Sequence, residues 1–286
     1  MAGGSALTSG TTFTLGRRAA GNAQVVLLER EKLMNRLNAT KDFWLAALRA
    51  DGPALQDAVA ETGPDAAVPA CPGWTVADLT EHLTVLLRWV RESVPRGVVD
   101  RPADRVTPEP RPAWPDALDG LRREMTGTIE TLDALDPDLP AWTWPAQAKK
   151  AGFWHRRMAH EISVHRWDAE TAAGRPTPIE TKLAADGVNE VLDTWLPAGR
   201  RQGPTDLHGV VHLVATDASY EWFVRLRGAG LALLDTGTIL DSDDHHPRAE
   251  ARGNASDLLL TLMGRSAPDL LTITGDPRLF SALRAG

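Results

Sequence analysis

At 286 residues the chain is long enough for one large domain or two ordinary ones, and its 43% hydrophobic and 24% charged residues are the balance of a globular protein. A formal net charge of -7 argues against nucleic acid or an anionic membrane surface as partner. The single cysteine, Cys71, excludes an internal disulfide framework and any thiolate-rich zinc site within one chain, in keeping with a cytoplasmic location.

No run approaches the roughly 18 apolar residues that a membrane span needs. Residues 1–36 are expected to form a disordered extension, because no signal-type apolar stretch follows Arg17 and Arg18. Met34, which opens "MNRLNATKDFWLAALRADG", offers a second possible start. A helical pattern then runs from Leu37 through Phe43, Leu45 and Leu48 to Ala60. "VPACPGWTVADL" breaks it, and Thr75 with Asp78 reads as a capping box for a second helix. That helix carries Val76, Leu79, His82, Leu83, Leu86 and Val90 at helical spacing. Prolines 95, 102, 108, 110, 112 and 115 mark a long extended loop. A third helix is expected over about residues 116–135, and a fourth, through "HRRMAHEISVHRWDAE", ends near Gly174.

Four successive helices predict an N-terminal bundle over residues 37–176. Residues 177–286 change character. A helix over 183–196 precedes β-like runs in "DLHGVVHLVAT", "YEWFVRLR" and "LALLDT", with Gly228 and Gly230 suited to a turn. "SDLLLTLMG" reads as a helix, "LLTITG" as a strand, and "DPRLFSALR" as a closing helix with Pro277 at its first position. The fold class is therefore α+β.

The fourth helix carries the chemistry. Glu161 and His165 are four apart and share a face, whereas His160 is five before His165 and points about 140° away. The zinc-protease spacing HExxH is thereby excluded. A third ligand must come from another helix, and His82, between Leu79 and Leu86 on an apolar side, is the candidate. Two histidines and a carboxylate suit an open zinc site, and Asp168 is placed to hold the second ring nitrogen of His165. The spacing alone leaves other readings open: a hydrogen-bonded core histidine at 82, and an exposed i,i+4 pair at 161 and 165. Arg157, four before Glu161, is expected to pair with it, and His160 to make a structural hydrogen bond. Trp142, Trp144 and Trp154 are core, rim, or an apolar wall beside the metal. Cys71 is a loop-shaping residue, with a nucleophilic role as the alternative. "DSDDHHP", residues 241–247, reads as a solvated turn.

"VPACPGWTVADLTEHL", "FWHRRMAHEISVHRWDAE", "AADGVNEVL" and "HLVATDASYEWFVRL" resemble the mycothiol-dependent maleylpyruvate isomerase family of actinobacteria, a branch of the DinB-like superfamily. The resemblance extends from about Met34 to the C-terminus. It implies a DinB-like metal-binding four-helix bundle followed by a smaller, sterol-carrier-like α+β domain. It also implies a divalent metal, zinc foremost, held by His82, Glu161 and His165, with mycothiol as thiol cofactor. In the family the thiolate adds to the double bond of maleylpyruvate, rotation follows, and the thiol is expelled; related members transfer thiols to electrophiles. Arg265, in "LMGRS", corresponds to an arginine the family uses near its substrate; the plain alternative is a charge at a helix C-terminus. The expected partners are a small-molecule substrate and a low-molecular-weight thiol, with the oligomeric state open. A non-catalytic binding module and a thiol-independent metal-dependent hydrolase are the competing functions.

Overall fold

The computed structural model describes residues 39–285 except 106, 108–109, 146–148 and 235–246. The expectations for residues 1–36, for a start at Met34 and for the turn at 241–246 lie outside the described residues.

Four helices open the described chain: α1 (Lys41–Thr62), α2 (Val76–Ser93), α3 (Trp114–Ala134) and α4 (Ala151–Ala172). Thr40 caps α1 by accepting from the Phe43 amide, and the helix continues through Pro53. The expected capping box is present on α2, where the Thr75 hydroxyl accepts from the Asp78 amide and Asp78 accepts from the Thr75 amide. α1 packs along α4 and α2 along α3, burying Leu45, Leu48 and Leu55 of α1 and Leu79, Leu83 and Leu87 of α2.

α4 starts earlier than the apolar pattern indicates and is buried nearly all round, including His155, Arg157, His160, His165, Arg166 and Asp168. Buried polar groups cost free energy unless they are partnered, so the neighbours of α4 must supply partners. They do. Asp51 of α1 pairs with Arg166 at 3.1 Å and the Leu132 carbonyl of α3 meets His155 at 2.7 Å, while α4 itself adds Glu170 to Arg166 at 2.7 Å and the Ala151 carbonyl to His155 at 2.8 Å.

α5 (Thr181–Glu190) continues as a π-helical turn, Val191–Trp195, so the single helix expected over 183–196 widens in its last third. Asp186 of α5 accepts from three donors: Trp44 Nε1 and His160 Nε2 at 2.9 Å each, and Arg156 Nε at 3.2 Å. Burial opposes the charge on Asp186, but the hydrogen bond from His160 and the Arg156 guanidinium outweigh it and hold its carboxyl at about 2. The cluster ties α1, α4 and α5 together.

A five-stranded sheet follows in the order β3-β2-β1-β4-β5. It comprises β1 (His208–Ala215), β2 (Glu221–Arg227), β3 (Gly230–Leu234), β4 (Arg248–Gly253) and β5 (Thr272–Gly275). β1 and β4 run parallel, and the other pairs are antiparallel. The sequence reading contains no β4. Its "RAEARG" turns only Ala249 and Ala251 inward, too weak an apolar alternation to announce a strand. α6 (Ala255–Leu262) packs on α5, where a Cβ at Gly187 would lie 2.6 Å from the end of the Leu259 side chain, so any larger residue would displace that leucine. α7 (Pro277–Ser281) closes the chain with Asp276 as its cap. Residues Ala39–Gly286 form one compact α+β unit. Among the described residues no helix is long and apolar enough to cross a membrane.

Candidate metal centre

α2 and α4 bring His82, Glu161 and His165 together. One ligand atom from each lies within 4.8 Å of the others. His82 Nε2 is 3.0 Å from Glu161 Oε1, and His165 Nε2 is 3.4 Å from the same oxygen. Ligands about 2.0–2.1 Å from a tetrahedral ion stand roughly 3.3 Å apart, so this spacing suits three corners around one cation. His82 is not sealed in the core. Its side chain keeps 29% exposure and that of Glu161 15%, so the cluster faces open space.

Each member is oriented by a neighbour. The His165 Nδ1 lies 2.8 Å from Asp168 Oδ2, which fixes the ring and directs Nε2 toward Glu161. Arg157 Nη2 donates to Glu161 Oε2 at 3.1 Å, leaving Oε1 to the two histidines. Arg157 also bonds buried Glu190, which accepts from Trp195 Nε1 at 3.3 Å. The Trp74 ring packs 5.2 Å from that of His82, which is 5.3 Å from that of His165.

The charges of the cluster are strongly coupled. Burial works against the Glu161 charge, yet hydrogen bonds from His165 and His82 and the nearby Arg157 hold its carboxyl well below the usual range. Burial also disfavours charge on His165, but bonds to Asp168 and Glu161 raise it to about 9. Two carboxylates thus share one buried imidazole, an arrangement that a divalent ion can satisfy with the ring neutral.

Asp168, fully buried, gathers three segments. Besides His165 it accepts from Arg265 Nε at 3.4 Å and from the Cys71 thiol at 3.6 Å. Arg265 thus reaches from the end of α6 to the anchor of a candidate ligand. Cys71, His165 and Asp168 form a second set of closely placed donor atoms. Burial and the Asp168 charge push the Cys71 thiol to about 11, so it stays protonated at neutral pH and is a poor nucleophile. His160 makes the structural bond expected of it, to Asp186.

Two cavities meet at the cluster. One, about 370 Å³, leads from His82 and Glu161 past Trp89, Trp142, Trp144 and Trp154. The other, about 640 Å³, passes Cys71, Gln202, Arg265 and Arg284. Sequence spacing does not reveal Glu190, Trp195 or the convergence of tryptophans, because their contacts depend on how distant helices cross. The hints available were the clustering of Trp142, Trp144 and Trp154 just before and within α4, with an apolar wall as one of their readings, and a composition of ten tryptophans in 286 residues.

Two family models match the chain. Residues 45–170 match the mycothiol maleylpyruvate isomerase N-terminal domain, and residues 182–282 the MDMPI C-terminal domain. A crystal structure of a mutant mycothiol-dependent maleylpyruvate isomerase aligns with a TM-score of 0.51 at 16% identity, covering 83% of this chain and 94% of that one. A second crystal structure of the mycothiol-dependent maleylpyruvate isomerase gives 0.47 at 15% identity, with the same coverage. At such identity the first likeness is one of fold. A search of curated protein sequences finds no match.

Proposed function

The chain belongs to the mycothiol-dependent maleylpyruvate isomerase family, and from that membership together with the ligand cluster we propose a metal-dependent enzyme that uses mycothiol on an electrophilic small molecule. The reaction is isomerisation of the maleylpyruvate type or S-transfer. The observation that carries this reading is the convergence of His82, Glu161 and His165 where two cavities meet.

Burial and the Asp168 charge disfavour the thiolate of Cys71, which leaves an external thiol as the nucleophile of this reading. A divalent cation, zinc first, would be held by His82, Glu161 and His165 and would lower the pKa of an incoming thiol from its ordinary 8.5 or so. Asp168 keeps the His165 ring in place, and Arg157 holds the Glu161 carboxylate and balances its charge. Tryptophan side chains line one approach. Arg265 steadies Asp168 from the second half of the chain and lines the other approach, where it meets a polar reactant.

Metal analysis paired with a thiol-dependence screen tests the reading. Purified protein is expected to carry one equivalent of divalent metal and to convert electrophiles such as maleylpyruvate only when mycothiol is present. Turnover without any small thiol would favour the hydrolase alternative and reject this one. Asp168→Asn keeps the shape of the anchor but removes its charge. Its metal affinity should fall about 10–100-fold, the usual effect of losing a ligand's outer partner. Competition with a chromogenic chelator measures this, and unchanged affinity would mean that Asp168 does not orient His165.

A further inference from the structure

The narrower cavity has a chemistry of its own. Three tryptophans form its wall: Trp89 lies 5.7 Å from Trp142 and 5.1 Å from Trp154, and Trp142 stacks over Trp154 at 6.3 Å. Trp144 and Trp195 stand edge to face at 5.3 Å nearby. Trp89 Nε1 donates to the Ala103 carbonyl at 2.8 Å, pinning the loop that carries Arg105 along the same cavity. Arg200 lies over Trp144 at 4.5 Å and near Trp195 at 5.4 Å. Among the described residues neither Arg105 nor Arg200 has a carboxylate partner, although other arginines around the site do.

These features select a ligand. Aromatic faces favour a flat, conjugated body over an aliphatic one. A guanidinium stacked on a ring keeps its in-plane N–H edge free for a carboxylate. About 370 Å³ lies within the range of pockets that enclose drug-sized molecules, more than a short aliphatic diacid needs. His82 and Glu161 line the same cavity. We propose that this cavity binds a planar aryl-alkenoic acid, its carboxylate at Arg200 and Arg105 and its side-chain double bond toward His82 and Glu161. A thiolate adding to the alkene carbon remote from the carboxylate moves the π pair to the neighbouring carbon, which takes up a proton. This names the electrophile class for the function proposed above and rests on that reading.

Equilibrium dialysis of the full chain, metal-loaded and chelator-treated, tests it with trans-cinnamate, cinnamamide, maleate and mycothiol. Cinnamate should bind both forms at least about tenfold more tightly than the uncharged amide, since a bond to a charged group is worth that factor or more, and more tightly than maleate, which has no ring to lie against the tryptophans. Arg200→Ala, at an exposed position, and Trp144→Ala should each weaken cinnamate about tenfold, while Arg122→Ala, on the outer face of α3, should not. The proposal is overturned if maleate binds as tightly as cinnamate, if Arg200→Ala changes nothing, or if mycothiol competes with cinnamate for the cavity. Because dialysis needs neither metal nor turnover, cinnamate binding without thiol-dependent activity would reject the enzyme reading alone. Turnover of maleylpyruvate with no cinnamate binding would reject this inference alone.

Discussion

Glu161→Gln should purify with almost no bound divalent metal and lose thiol-dependent turnover by more than about 100-fold, because even a ligand's outer partner is worth 10–100-fold. Glu161 Oε1 is the atom that both His82 and His165 approach, at 3.0 and 3.4 Å, so its charge is the centre of the set. The amide keeps the volume, and Arg157 retains Glu190, so the variant should still fold. His82→Ala provides the companion test from a different helix, at a side chain exposed enough to be dispensable for packing. Elemental analysis by plasma mass spectrometry, with circular dichroism as the folding control, reads the result. A variant at either position that keeps a full equivalent of metal would remove that residue from the set.

Asp186→Ala should be the most destabilising of these substitutions, by about 3–5 kcal/mol, the usual cost of breaking a buried ion pair from one side. It strips the common side-chain acceptor from Trp44, His160 and Arg156, leaving the largely buried Arg156 guanidinium with the Asp193 carboxylate and the main-chain carbonyl of residue 186. The pH dependence gives an independent signature. The folded-state carboxyl sits at about 2 against an ordinary 3.8, which at 1.36 kcal/mol per pH unit is about 2 kcal/mol of stability. Because the folded pKa is depressed, that stability is complete above about pH 4 and is lost as pH falls through about 2. The difference between wild type and Asp186→Asn in urea unfolding should therefore be full at pH 6 and shrink between pH 4 and pH 2. A difference that stays constant over that range would show that the charge contributes nothing.

The sequence carries the features that are local along the backbone. Glu161 and His165 share a face by helical periodicity, and His82 draws notice as an imidazole in an apolar stripe. The Thr75 cap and the proline at the start of α7 mark their elements just as plainly. Features that depend on packing left no such trace. β4 is specified by its place between β1 and β5, since two inward alanines are a faint signal. Asp186 and Glu190 look like ordinary helix-surface acids until α5 is laid across α4, where they meet Arg156, Arg157 and His160. Likewise Arg265 reads as a charge at a helix end, and only the tertiary arrangement shows it reaching Asp168.

The meeting of three segments at Asp168 has a consequence for biosynthesis. Cys71 precedes it by 97 residues and Arg265 follows it by 97. A chain emerging from the ribosome therefore presents His82, Glu161 and His165 well before the segment that steadies the anchor of His165 has been made. Contacts so distant along the chain form late, after the entropy of closing the intervening loop has been met. Nascent chains stalled before residue 265 should accordingly release an ion held at the proposed site faster than chains extended past it, as dissociation into a chromogenic chelator would show.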